Sequence, residues 1–367
     1  MKITLKNTPE QVELVKAMAS RNRDVAYEAQ TALAEFIGPV LAEVINNAPA
    51  LSNLFTTLQY NADDNPSIPL DLYFDVSDED YVQVYSQSRA GGLPTSEVLP
   101  TSAELKIATY SLDSAVSFDR RYAAKSRMDV VAKTMTRVAQ EILLKQNTIS
   151  ANVIMKALAE ASTNGLSHVI AAQTADRFTL ADLNALSTRS KRIVTSFVGG
   201  TPDARQGRGM TDIIVSPEIV EELRAIAYNP INTKAAPQGA GGAVTNSNVQ
   251  TADVIAEEAY RAAGAPEFYG INVIELNEFG DGQKFNAIYG AAAGGGFTPA
   301  SDQIVVGIDR SREALIRPVA VDSENGGEFS LIADDQYSIR QNKIGYFGGL
   351  EEGRVVLDNR ALVGVTV

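Results

Sequence analysis

Between Arg23 and Arg89 the chain contains no lysine or arginine, yet eleven carboxylates occupy that stretch: Asp24, Glu28, Glu35, Glu43, Asp63, Asp64, Asp71, Asp75, Asp78, Glu79 and Asp80. Most of the formal net charge of -13 sits there. The sign then reverses, because Arg120, Arg121, Lys125, Arg127, Lys133 and Arg137 are followed or preceded by a single acid, Asp129, within the same segment. Like charges held this densely oppose compaction unless a surface of the other sign neutralises them. One copy could fold its acidic arm onto its own basic helix. A long protruding arm would more naturally lie across the basic helix of a neighbouring copy. The second arrangement is that of a self-assembling shell or lattice.

Composition bounds the alternatives. At 367 residues the chain can bury a large core and is expected to form two or more lobes. Hydrophobic residues at 45% and charged residues at 21% are ordinary globular values, which excludes a fibre or a disordered tail. Without cysteine there are no disulfides, thiolate nucleophiles or zinc–sulfur sites, and the redox compartment is not encoded. The N-terminal MKITLKNTPEQVELVK lacks the apolar core of a secretory signal, and no apolar run approaches the ~20 residues a membrane helix needs. The protein is expected to be made and used in solution, with no membrane partner. A pI near 4.7 argues against gripping nucleic acid through its phosphates. It is compatible with lining a container of DNA without sequence-specific binding.

The residues offer little chemistry. His168 is the only histidine, set in ASTNGLSHVIAAQ, and reads as a surface or hydrogen-bonded structural residue. Histidine triads, histidine-rich metal sites and cysteine chemistry therefore lack material. The carboxylate pairs Asp63/Asp64 and Asp334/Asp335 have the residue type of acid–base catalysis but read as solvated loop acids. Glycine clusters at Gly199-Gly200, Gly239 to Gly242 and Gly294 to Gly296 are not followed by the Lys-Ser/Thr of a phosphate loop and lack GxGxxG spacing. They read as turns. No catalytic, cofactor or metal site is expected.

Periodicity places the elements. Thr8-Pro9-Glu10-Gln11 is a capping box with proline at the first helical position, so a helix begins near Pro9. Apolar residues from Val12 to Ile45 then recur at spacings of three and four, predicting an amphipathic helical arm over the first fifty residues, broken near Gly38-Pro39. That arm could pack on its own domain or dock on a partner. From Ser67 the period becomes two: Ile68, Leu70, Leu72, Phe74 and Val76 form one face of a strand that Pro69 confines to a sheet edge. A second extended stretch spans Tyr81 to Gln87, and a third, Leu105 to Asp119, alternates Tyr110, Leu112, Val116 and Phe118. With little local core, these strands predict a long projecting hairpin. Ser126 caps a helix from about Arg127 to Glu160, with Val131, Met135, Val138, Ile142, Ile149 and Val153 as its stripe. Unbroken, it would be a rod of about 50 Å.

Beyond it the pattern is mixed α/β. Thr179 caps a helix to about Ser190, the strand Asp212 to Val215 runs through Ser216-Pro217 into a helix ending at Tyr228, and Asn229 to Thr251 form a Pro/Gly/Asn-rich loop. Further strands are expected at Tyr269 to Ile274, Gln303 to Ile308, Ala314 to Val319, Phe329 to Ile332 and Arg354 to Val367.

This series of acidic arm, projecting hairpin, Phe118-Asp119-Arg120-Arg121, long helix, DIIVSPEIVEEL and then YGINVIE resembles the major capsid proteins of tailed double-stranded DNA bacteriophages. They share the Hong Kong 97-type α+β fold with herpesvirus capsids and bacterial encapsulins. The resemblance covers nearly the whole chain in element order. It implies an N-terminal arm over 1–59, an extended loop over 60–104, a peripheral domain with a spine helix over 105–189, and an axial domain over 190–319. Residues 320–367 would return through both domains. It also implies pentamers and hexamers of the same chain, enclosure of double-stranded DNA, separate portal and decoration proteins, residence in the virion, and assembly in the cytoplasm of a bacterial host. In that family the extended loop lies over a neighbour's peripheral domain. Asp71, Asp75, Asp78, Glu79 and Asp80 would then meet Arg120, Arg121, Lys125, Arg127 and Lys133 of the next copy, and Arg89 is a further candidate for contact between copies. Two features depart from branches of the family. No lysine lies between Lys16 and Lys106, so the loop-lysine isopeptide crosslink of some relatives is expected to be absent. The arm begins almost at Met1, so scaffolding is expected from a separate protein. An encapsulin-type cargo compartment is the nearest alternative, and a cytosolic carboxylate-dependent hydrolase a more distant one.

Overall fold

The computed structural model describes residues 8–47, 51–61, 64–69, 104–125, 128–163, 165–193, 209–228, 267–268, 270–321, 329–334 and 341–367. In chain order these form α1 (Pro9–Met18), α2 (Arg23–Asn47), β1 (Thr56–Asn61), β2 (Ser67–Pro69), β3 (Glu104–Lys106), β4 (Thr109–Asp119), α3 (Arg120–Ala124) and α4 (Met128–Glu160). There follow β5 (Ser162–Thr163), β6 (Leu166–Ser167), β7 (Val169–Ala171), α5 (Leu180–Ile193), β8 (Asp212–Val215), α6 (Pro217–Tyr228), β9 (Glu267–Phe268) and β10 (Ile271–Glu275). The last are α7 (Lys284–Ala293), β11 (Ile304–Ile308), β12 (Leu315–Val321), β13 (Ser330–Asp334), β14 (Lys343–Gly353), β15 (Val355–Val356) and β16 (Leu362–Thr366). Contacts divide the chain into two units, one of residues 1–69, 104–150 and 315–355, the other of residues 70–103, 151–314 and 356–367.

The first unit is built on β14. Its eleven residues pair antiparallel with the whole of β4, from Lys343 opposite Asp119 to Gly353 opposite Thr109. Its other edge pairs with β13 and, at Glu352, with β12, which carries β1 in parallel. Period-two alternation puts Ile344, Tyr346 and Leu350 of β14 on the same face as Leu112 and Phe118 of β4. The buried stripes of α2 (Ala29, Leu33, Ala34, Ile37, Leu41) and of α4 (Val131, Met135, Val138, Ala139, Ile142) belong to the same core, with Val15 and Met18 of α1. The strand from Leu105 onward therefore does not project as expected. It is short at β3, and its longer part, β4, lies inside this sheet because its apolar face has a partner more than two hundred residues away. β2 and β3 form a separate two-stranded sheet, which leaves Pro69 without a ladder bond to make.

The N-terminal arm folds on this core. Thr8 caps α1 by accepting the Gln11 N–H at 3.4 Å, with Pro9 opening the helix as its sequence requires. The break falls not at Gly38-Pro39 but at Ala19 to Asn22, where Asn22 Oδ1 accepts the Asp24 N–H at 3.2 Å and starts α2. Pro39 sits inside α2 on the exposed side, as does Glu35 four residues earlier. Pro39 removes the donor to the Glu35 carbonyl, and the helix continues past it to Asn47.

α4 is a single helix of 33 residues. From Ile142 its buried row continues through Gln146, Ser150, Ile154 and Leu158 at intervals of four, with Ala151 and Met155 beside it, so the expected Ile149 and Val153 are only half-buried. In the second unit the sheet runs β7-β16-β11-β8-β10-β9. β8 is buried along its length, parallel to β10 and antiparallel to β11. Leu183, Leu186 and Ile193 of α5 and Ile219, Val220 and Leu223 of α6 share a core with Ile213, Val215, Val305, Val363 and Val365. The expected Asn229 to Thr251 loop and the extended stretch Tyr81 to Gln87 lie outside the described residues, as does Ser126 at the head of α4. Among the described residues no helix is long and apolar enough to cross a membrane.

Candidate functional site

The basic segment begins where β4 turns into α3. Asp119 is the N-cap of α3, and its carboxylate accepts the Arg121 N–H at 2.9 Å. The Arg121 guanidinium donates to the same carboxylate from Nε and Nη2 at 3.1 and 2.9 Å. That charge-assisted pair, with the backbone bond behind it, holds the Asp119 carboxyl below the usual carboxylate range. Arg120 turns to its own chain instead, donating from Nε and Nη2 to the Ala19 carbonyl at 3.3 and 3.1 Å. It thereby ties α3 to the end of α1, where the last helical carbonyls need donors.

Of the expected contact residues, the structure thus brings Arg120, Arg121 and Lys125 together around α3. The Arg121 side chain remains 81% exposed despite its ion pair, and Lys125 and Lys133 are exposed. Arg137 follows Lys133 by one turn of α4 and is exposed as well. Asp71, Asp75, Asp78, Glu79, Asp80, Arg89 and Arg127 lie outside the described residues. The earlier acids of the arm do have places. Asp24, Glu28, Glu35 and Glu43 are all exposed on α2.

A cluster of buried charge in the first unit has no counterpart in the sequence reading. Glu352 is fully buried; its Oε2 accepts Arg317 Nε at 2.7 Å and Gln146 Nε2 at 3.2 Å. Its Oε1 accepts Arg354 Nη2 and the Tyr110 hydroxyl, each at 2.9 Å. Arg354 also donates to the Gln146 carbonyl at 2.8 Å and stands 5.5 Å over the Phe55 ring. Burial pulls the Arg354 guanidinium below its ordinary range, and burial next to Glu352 pushes the Tyr110 phenol up. With four donors on one carboxylate, no lone pair is left to act as a base. The cluster joins β4, β12, β14 and α4 and has no substrate-facing atom. Its signal was available, since parity along β14 places position 352 on the inward face with Ile344, Tyr346 and Leu350.

His168 is buried and hydrogen-bonded, as one of its two expected readings requires, and not on the surface. Nδ1 lies 2.9 Å from the Leu362 carbonyl and 3.1 Å from the Asn359 carbonyl, so it carries the proton. Nε2, 2.7 Å from Thr163 Oγ1, is then an acceptor. Burial lowers the imidazole pKa despite these carbonyls, which keeps the ring neutral. It pins the chain after α4 to the turn before β16.

The second unit also holds a cavity of about 1010 Å³ lined by Asp176, Glu218, Glu221, Glu222 and Asp281, with Arg177 among them. Glu222 is engaged by the Phe178 N–H at 2.6 Å. No group of three metal-ligating side chains occurs among the described residues. Of the carboxylate pairs, Asp63 and Asp335 lie outside the described residues, and Asp64 is exposed.

No protein-family model matches the chain, and no curated protein matches its sequence. Solved structures do. The capsid of an empty GTA particle superimposes with a TM-score of 0.51 at 10% identity, covering 86% of this chain and 88% of that one. A structure of Microbacterium phage Oxtober96 matches at TM-score 0.49 and 12% identity, over 86% and 90% of the two chains. A virus-like particle from Pyrococcus furiosus matches at TM-score 0.46 and 12% identity, over 91% and 99%. At such identities the likeness is one of fold, and the first carries it. The α+β architecture is the Hong Kong 97-type capsid fold that the element order resembles.

Proposed function

We propose that the chain is the major capsid protein of a tailed bacteriophage, many copies of which close into an icosahedral head around double-stranded DNA. The observation that carries this reading is a capsid fold spanning 86% of the chain, joined to a charge pattern that one copy leaves exposed. α2 offers exposed acids and α4 exposed bases, so neutralisation is open to contacts between copies. The proposal assigns no reaction. Function would reside in interfaces that accept both fivefold and sixfold surroundings. In this reading residues 1–59 are the arm, 60–104 the extended loop, 105–189 the peripheral domain, 190–319 the axial domain, and 320–367 the returning strands. Scaffolding, portal and decoration proteins would be separate chains, and particles would assemble in the host cytoplasm.

Expression of the chain followed by size-exclusion chromatography and negative-stain microscopy tests the reading. Closed particles with fivefold vertices are expected. A monodisperse monomer or small oligomer at all protein concentrations overturns it. Particles recovered with a folded protein cargo in place of nucleic acid would move the chain to the nanocompartment class.

A further inference from the structure

The outer face of α2 is apolar as well as acidic. Phe36 is 56% exposed, Val40 44% and Val25 42%, and Val25, Ala32 and Phe36 recur at intervals of seven and four along one line of the helix. Glu28, Glu35 and Glu43 border that line, and no lysine or arginine follows Arg23 anywhere in α2. In the same unit α4 carries an exposed line of Lys133, Arg137, Gln140 and Leu144, in which Lys133, Gln140 and Leu144 repeat the same intervals. Leu144 is 49% exposed.

The two faces complement each other in charge and in spacing. Phe36 stands eight residues after Glu28 and seven before Glu43, about 12 and 10 Å along the helix. Leu144 stands seven residues after Arg137, again about 10 Å. With the two helices parallel, packing Phe36 on Leu144 therefore brings Arg137 level with Glu28 and Lys133 level with Asp24. Within one copy both faces are open to solvent, so they do not satisfy one another there.

We propose that the occupant of the α2 face is the α4 face of a second copy, the two helices running parallel, with Phe36 and Val40 packed on Leu144 and the carboxylates of Asp24 and Glu28 meeting Lys133 and Arg137. This names one interface of the assembly proposed above and rests on that reading. Burying the aromatic ring gives the contact its apolar centre, and the flanking charges set its register. It shares Lys133 with the contact expected of residues 71–80, whose other partners would be the basic residues around α3 and Arg127.

Because the chain has no cysteine, a disulfide trap reads this contact without background. Phe36→Cys and Leu144→Cys are introduced together, and the purified protein is oxidised with diamide. A ladder of covalently linked chains on a non-reducing gel is expected. A control pair, Phe36→Cys with the exposed Leu166→Cys, should stay single-chain. Reversing charge on one side, by Asp24→Lys with Glu28→Lys or by Arg137→Glu with Lys133→Glu, should lower particle yield by roughly tenfold or more without changing the circular dichroism. Combining both reversals in one chain should restore particles. Particles that form normally with no ladder, or with equal ladders in the control, overturn the contact while leaving the shell reading intact. If the wild-type chain forms no particles, the shell reading fails. The contact then stands or falls on whether the first pair traps a dimer.

Discussion

Glu352 illustrates how a single side chain can be structural without being replaceable. Two guanidinium groups are buried around one carboxylate, and Arg317 Nη2 and Arg354 Nε have no hydrogen-bond partner. The carboxylate is what makes burial of those cations tolerable, so Glu352→Gln should destabilise the first unit by about 3–5 kcal/mol. A lower urea midpoint of the unassembled variant, followed by circular dichroism, is the check; an unchanged midpoint would show that the cations find water. His168 makes a smaller, pH-dependent contribution. Its folded pKa lies below the ordinary 6.5. The unfolded chain therefore binds the proton first, and the stabilisation present above about pH 6.5 is lost as pH falls through the folded value. The single imidazole signal in an NMR titration should move only below pH 6.5, and His168→Gln should flatten the stability profile in that window.

At the scale of elements, β14 shows why small residues stand where they do. An added Cβ at Gly348 would lie 2.6 Å from Phe329 Cζ, inside a strand paired on both edges. Gly348→Ala should therefore cost roughly 1–3 kcal/mol through overpacking, read as a lower thermal midpoint, while an exposed site such as Lys156→Ala should not. The same strand marks the limit of what the sequence discloses. Thr8-Pro9, DIIVSPE and the stripe Val131 to Ile142 are local patterns, and α1, β8, α6 and α4 follow them closely. The alternation of Tyr110, Leu112, Val116 and Phe118 was equally plain, but alternation states a face and not a partner. Pairing with Lys343–Gly353 depends on residues far along the chain, which is why β4 read as part of a projection. Pro39 misled for a related reason: its cost depends on whether the freed carbonyl meets water, which is a property of the packed helix. The parallel strand β1 had no alternation to betray it, since Thr56 to Gln59 are all exposed. Of the expected contact residues, those around α3 and on α4 were found exposed or half-committed to their own chain, and the charge cluster at Glu352 was missed although strand parity held the clue.

In the proposed particle, cohesion between copies is expected to come from noncovalent contacts. The chain has no cysteine and no lysine between Lys16 and Lys106, so particles boiled in detergent should run as single chains, and a ladder on a denaturing gel would contradict this. Exposed ion pairs contribute about 0 to 1 kcal/mol each, too little to hold two copies together at micromolar concentration. Repeated over every interface of the proposed particle, the same pairs would become decisive, because each copy would engage several neighbours at once. The acidic stretch at Asp78, Glu79 and Asp80 is then a sensitive place to perturb, since no base lies nearer to it in sequence than Arg89. Replacing all three with lysine adds six units of positive charge per copy, which in the proposed contact would stand against the bases around α3. The variant should remain folded by circular dichroism and fail to form particles at physiological salt, with partial recovery at high salt, where repulsion over a Debye length of a few ångströms is screened. Normal particles from this variant at physiological salt would show that the acidic stretch does not meet the basic one, and would leave the exposed charges of α2 and α4 as the remaining electrostatic contact between copies.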